Sequence, residues 1–217
     1  MYLLTETASP FALERWAAFF ANFGQFAKGF FYTLGISIGA LIVALLLGLI
    51  FGAMSSTHNK VLRGISRVYV EIFQNTPLLV QFVVVFYGIS ILTDGHVMIP
   101  ISLTAILCVG VYTGAYISEI IRTGIEAVPK GQTEAALSQG FTYADTMRII
   151  ILPQAVRTIL PPLTNQVVNL IKNTSTVAII SGADIMFTAK AWAYDTTNYV
   201  PAFAGAAFLY FIMWFPL

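Results

Sequence analysis

Residues 29–54 read GFFYTLGISIGALIVALLLGLIFGAM, twenty-six consecutive positions without a charged side chain. As a helix this run is longer than the roughly 20 residues that cross about 30 Å of hydrocarbon. A helix also satisfies its own backbone groups where no water can do so, which makes it the expected form of such a segment. The composition extends that reading to the whole chain: 217 residues, 58% hydrophobic, 10% charged, mean hydropathy +0.80. Soluble domains carry about a quarter charged residues. The expected fold class is therefore all-α, a polytopic membrane helical bundle in a single domain, 1–217. A net charge of +1 supplies no clustered basic face for nucleic acid, and a lone cysteine, Cys108, builds neither an internal disulfide nor a cysteine metal site. The N-terminus carries Glu6 and Glu14 before any long apolar run and has no basic opening, unlike a cleaved signal peptide.

Working outward, residues 72–93 hold 22 uncharged positions and 95–118 another 24, joined by the polar turn Thr93-Asp94-Gly95. The spacing predicts five crossings at about 29–54, 72–93, 97–121, 154–172 and 197–217. In the fourth, Pro153, Pro161 and Pro162 interrupt the pattern, which suggests a short amphipathic helix up to Leu152 followed by a crossing from about Gln154 to Lys172. Basic residues set the orientation. Lys60, Arg63 and Arg67 follow the first crossing and Arg122, Lys130 and Arg148 the third, whereas the alternate connections, 93–98 and 173–196, hold only Lys190. The connection after the third crossing is thus expected in the cytoplasm and the N-terminus outside. No low-complexity segment or internal repeat is visible, which weighs against transporters built from inverted duplications.

That cytoplasmic connection, 128–147, is patterned as helix, turn, helix. Pro129 suits a helix start, Gly140 supplies a left-handed helix end, and Thr142 with Asp145 three residues on forms a capping-box-like start for the next helix. A loop that only connects does not require this, although an ordinary amphipathic connector would also fit.

Glu134-Ala135-Ala136, three residues, Gly140, nine residues, Ile150, one residue, Leu152-Pro153 resembles the cytoplasmic loop signature of ABC importer permease subunits. Gln74-Asn75-Thr76-Pro77-Leu78-Leu79-Val80-Gln81, Ala115 to Arg122, Ala127 to Gln132 and Leu170 to Ser175 resemble the polar amino acid branch of that family. Together these stretches cover most of residues 30–217. Gln74-Asn75 departs from the Arg-Gly common in the branch. The resemblance implies a type I importer transmembrane fold with five crossings and a cytoplasmic coupling helix. It further implies that Lys130, Glu134, Ala135, Ala136 and Gly140 couple to a separate ATPase: the alanines seat in its groove, Glu134 offers a carboxylate, and Gly140 permits the turn. Its expected partners are two ABC ATPase subunits, a second permease chain (identical or a close paralogue), an extracytoplasmic solute-binding protein and an amino acid substrate, in a bacterial inner membrane.

Polar side chains inside the expected crossings are candidates for a substrate path. Tyr112, Tyr116 and Glu119 share a helical face through i, i+4, i+7 spacing, as do Asn165, Asn169 and Lys172, with Asn173 beside them. Such groups avoid lipid. Tyr116, Glu119, Asn165, Asn169, Lys172 and Asn173 fit a translocation pathway, and equally fit interhelical hydrogen bonds worth about 0.6 to 2 kcal/mol each. Glu119 also fits an ion pair with Arg122 or Arg157. Gly35 with Gly39, Gly48 with Gly52 and Gly110 with Gly114 allow close helix approach.

No Gly-Lys dipeptide occurs, so no phosphate-binding loop of the G-x-x-x-x-G-K-[ST] kind is present. The chain is expected to bind no cofactor or metal and to catalyse nothing itself, with ATP and Mg held by the partner ATPase. His58 and His96 fall on opposite sides of the membrane in this topology, and Ser138 and Ser175 lack His and Asp partners for nucleophilic catalysis. The runner-up is a secondary amino acid transporter or channel, which would use Glu119 and Lys172 directly and need no loop helix.

Overall fold

A computed structural model describes residues 9–215. Glu6 and the last two positions of the 197–217 crossing lie outside the described residues. Those described are helical and contain no strand. In order they form α1 Leu13–Ala21, α2 Phe23–Ser55, α3 Lys60–Asn75, α4 Leu78–Leu92, α5 Ile101–Glu126, α6 Lys130–Ser138, α7 Leu152–Asn173, α8 Ile185–Thr196 and α9 Tyr199–Trp214. Two of these, α2 and α5, are long and apolar enough to cross a membrane alone; α3 with α4 makes a third if the bent pair counts as one span.

Three sequence expectations are corrected. The 72–93 run is not one helix: the chain turns by 99° between α3 and α4. Pro77 explains it, since a residue before proline is driven out of the helical region, and Thr76 is extended at φ −108°, ψ 134°. Gln81 fastens the bend, its side-chain amide donating to the Phe73 and Thr76 carbonyls, each at 3.2 Å, and to Thr76 Oγ1 at 2.8 Å. Around Leu152 no break occurs. A π-helical turn, Thr146–Ile151, runs directly into α7, and its wider hydrogen-bond spacing carries the backbone past Pro153. Pro161 and Pro162 also lie inside α7. The third correction concerns 173–196, which is mostly helical: a 3₁₀ segment, Thr174–Ile180, and then α8.

The chain divides into two compact units. One comprises Gly39–Gln81 and Ile106–Leu170. Here α2 and α5 run parallel, with Gly48 against Ile117, Gly52 against Ile121, Gly110 against Val43 and Gly114 against Leu47. A Cβ at Gly48 would lie 2.4 Å from Ile117 Cγ2, so the approach depends on the missing side chains. Of the three glycine pairs, only Gly35 meets open space. Helix α3 passes from α2 onto α5. Ser66 Oγ donates to the Phe51 carbonyl at 2.8 Å, the Tyr69 ring stacks on Phe51 while its hydroxyl donates to Val111 O at 2.7 Å, and Gln74 reaches Ala115 O at 3.2 Å.

The other unit comprises the residues up to Ile38, Phe82–Ala105 and those from Ile171 onward. Its core joins Phe19, Phe26 and Trp192, and Phe19 rests on Gly205 of α9. Arg15 Nη1 donates to Thr197 O at 2.9 Å and Asn198 Oδ1 at 3.0 Å, tying α1 to the turn after α8. Buried Asp184 caps α8, accepting from the backbone N–H groups of Met186 (3.0 Å) and Phe187 (3.2 Å) and from the Tyr210 hydroxyl (3.4 Å). It lies in the connection before α8, and burial pushes its carboxyl up to about 6 against those donors.

Candidate functional site

The coupling candidates converge on α6 and the turn after it. Pro129 is extended and stands just before the helix rather than inside it, and Lys130 opens the first turn. At the other end Gly140 adopts φ +87°. Its N–H donates to Leu137 O at 3.0 Å and that of Phe141 to Ala136 O at 3.1 Å, the paired bonds of a Schellman motif. Only a residue without a Cβ takes this conformation freely. Thr142 Oγ1 then accepts from the Asp145 N–H at 3.2 Å and donates to Asp145 Oδ2 at 2.5 Å, starting the next helical turn.

Glu134 and Ala135 are exposed, whereas Ala136 is 2% exposed. The two alanines expected on one docking face thus differ in exposure. Ala136 packs against its own chain, and Ala135 presents the small surface outward. Beside α6 opens a cleft of about 660 Å³ whose wall includes His58, Glu126, Lys130, Thr133, Glu134 and Tyr143, with Tyr143 edge-on to the His58 ring at 5.2 Å.

The path candidates fall into two sets with different surroundings. On α5, Tyr112 and Tyr116 share a hydroxyl–hydroxyl bond of 3.1 Å. The open choice of partner for Glu119 resolves to Arg122, whose Nε donates to Glu119 Oε2 at 3.0 Å and whose Nη1 reaches Glu126 Oε2 at 2.5 Å. On α7, Asn165, Asn169 and Lys172 are exposed, Asn173 is half-buried, and Lys172 lies over the Trp214 ring at 5.7 Å. Among the described residues, Asn165, Asn169 and Lys172 make no side-chain hydrogen bond to another residue, and none joins the two sets. Gln166, 9% exposed, and Asp184 escaped the sequence reading. Only Asp184 carries a local signal, an acidic residue directly before an apolar helical run.

The family described as binding-protein-dependent transport system inner membrane component matches residues 44–217. The chain belongs to this family. It is 38% identical over 201 residues, covering 91% of this chain and 90% of the other, to the Probable glutamine ABC transporter permease protein GlnM of Bacillus subtilis. It is 35% identical over 187 residues, 78% of this chain and 76% of the other, to the glutamate/aspartate import permease protein GltJ of Escherichia coli. Among solved structures, an amino acid ABC transporter with histidines superposes at a TM-score of 0.85 with 32% identity, over 93% of this chain and 92% of that one. A MetNI methionine ABC transporter in an inward-facing conformation matches at 0.71 with 17% identity, over 90% and 94%, a likeness of fold alone. The chain is thus the inner-membrane permease subunit of an ATP-driven importer, and its family works with ATPase and solute-binding partners.

Proposed function

We propose that this permease translocates polar amino acids inward and that α6 is the element through which its ATPases drive it. The names of its relatives, glutamine and glutamate/aspartate permeases, support the substrate class. The observation that carries the coupling role is the rigidly closed turn at Gly140 next to the exposed Glu134-Ala135 pair. A helix end closed by the paired bonds of a Schellman motif passes a push onward rather than absorbing it.

Given five crossings, the N-terminus lies outside and α6 in the cytoplasm, an orientation supported by the six-to-one distribution of basic residues among the connections between crossings. Two permease chains, identical or paralogous, would enclose the path and carry two ATPases. The exposed carboxamides of Asn165 and Asn169 favour this arrangement, because on a lone chain they would face hydrocarbon. Lys172 and Asn173 extend that face, while Tyr116 and Glu119 line the path already engaged within the chain, with Tyr112 and Arg122. The chain itself holds no ATP or Mg; both sit on the partner.

Co-purification from native membranes tests the assignment. An ATPase and a second permease chain should be retained, and uptake in proteoliposomes should require ATP. Amino acid uptake by the permease alone would favour the secondary transporter instead.

A further inference from the structure

Helix α3 presents three chemically distinct faces. Ser66 and Tyr69 turn inward onto α2 and α5. Val61, Ile65, Val68 and Ile72, spaced i, i+4, i+7, i+11, form an apolar stripe that is exposed throughout. Lys60, Arg63 and Arg67 form a third, basic face over a cleft of about 690 Å³. That cleft also holds Glu71, Glu119, Glu126 and Arg122. Every carboxylate in it is taken: Glu71 by Arg67 at 2.7 Å, and Glu119 and Glu126 by Arg122. Lys60 and Arg63 remain without an ion-pair partner among the described residues.

Both cations sit where a helix favours them least. Asn59 caps α3 through the Val61 and Leu62 N–H groups, so Lys60 opens the first turn and Arg63 follows it, at the positive end of the helix dipole, with no acidic residue in that turn. An anion there would offset the dipole and both charges together. The helix also contacts α2 one turn from its C-terminal end, at Phe51, reaches Ala115 of α5 and stands at 99° to α4. An amphipathic helix crossing the bundle at that level, apolar on one side and basic on another, has the form of a segment lying in the membrane interface.

We propose that α3 binds an anionic phospholipid of the cytoplasmic leaflet, with Lys60 and Arg63 on the phosphate and the Val61-Ile65-Val68-Ile72 stripe against the acyl chains. This rests on the orientation proposed above. The occupant must be an amphiphile, because the unpaired cations and the exposed apolar stripe belong to one helix.

The test uses the permease co-purified with its ATPase in nanodiscs of phosphatidylcholine, with or without phosphatidylglycerol, and counts retained phospholipid by native mass spectrometry. Phosphatidylglycerol should be retained in preference by about tenfold, and Lys60→Gln with Arg63→Gln should erase the preference. Without any substitution, rising salt should weaken it. Equal retention of both lipids, or a preference that survives the double substitution, overturns the proposal. So does displacement by inorganic phosphate, which would mark a free-anion site, or a disulfide between two copies of a Val68→Cys chain, which would make the stripe a protein interface. Labelling of Lys60→Cys from outside the cell would instead overturn the orientation. Equal retention with Lys60→Cys labelled from the cytoplasm would sink this inference alone.

Discussion

The turn after α6 and the polar stripe along α7 treat their hydrogen-bonding groups in opposite ways. In the turn, the N–H groups of Gly140, Phe141 and Asp145 and the Thr142 hydroxyl all find partners within five residues. On α7, Asn165, Asn169 and Lys172 are exposed and make no side-chain hydrogen bond among the described residues. Helix α5 sides with the turn, since its polar groups are paired at Tyr112–Tyr116 and Glu119–Arg122–Glu126. A closed element keeps its shape under load, whereas an open one can trade partners as a solute or second chain goes by. Closed groups should therefore matter for transmission and stability, and open ones for transport alone.

The largest effect is expected from breaking the closed turn. Gly140→Val forces a β-branched residue to φ +87°, a strain of about 1–3 kcal/mol that the turn relieves by changing shape. Membrane insertion should persist while ATP-dependent uptake in proteoliposomes is lost and basal hydrolysis continues; full uptake would refute the contrast. Next comes the open stripe. Asn165→Leu with Asn169→Leu removes contacts of about 1.4 kcal/mol, so uptake should fall about tenfold with an unchanged melting temperature. A drop in melting temperature instead would show the amides to be structural.

Two smaller changes probe closed groups remote from the turn. Asp184→Ala should cost about 1–2 kcal/mol through the lost α8 cap, measured by thermal unfolding, whereas Asp184→Asn should keep it. Because the folded-state value of about 6 lies above the ordinary 3.8, the native protein holds this proton more tightly than the unfolded chain. The resulting loss of stability as pH rises from about 4 through 6 should vanish in Asp184→Asn. Smallest of all, Glu119→Gln leaves Arg122 paired with Glu126, so its effect should stay below about 1 kcal/mol with uptake kept. A large uptake defect there would move Glu119 into the open class.

The contrast also separates what is legible in sequence from what is not. The turn is written locally: Gly140, Thr142 and Asp145 each use a backbone rule that acts within a few residues. The apolar runs of α2 and α5 and their facing glycines are legible for the same reason. Counting uncharged residues passes over α3 and α8, however, because both carry charges, and it takes Ile72 to Asn75 into a crossing although they end α3. Pro153 reads as a breaker since the π-turn that absorbs it involves the six residues before α7. The pairing of Glu119 is itself local, an i, i+3 contact with Arg122 within α5 that the sequence offered beside Arg157, whereas the open state of Asn165 and Asn169 depends on what other helices bring near them. The same holds for Ala135 and Ala136, adjacent alanines of which one is buried by tertiary packing.

That alanine pair gives the most direct test of coupling. Cys108 is buried, so thiols introduced at Ala135→Cys and Ala136→Cys report against a quiet background. Maleimide labelling in intact cells and in the purified assembly should modify Ala135→Cys only with a membrane-permeant reagent, leave Ala136→Cys slow, and show Ala135→Cys protected when the ATPase is bound. Modification of Ala135→Cys by an impermeant reagent from outside, or equal modification with and without the ATPase, would contradict the account.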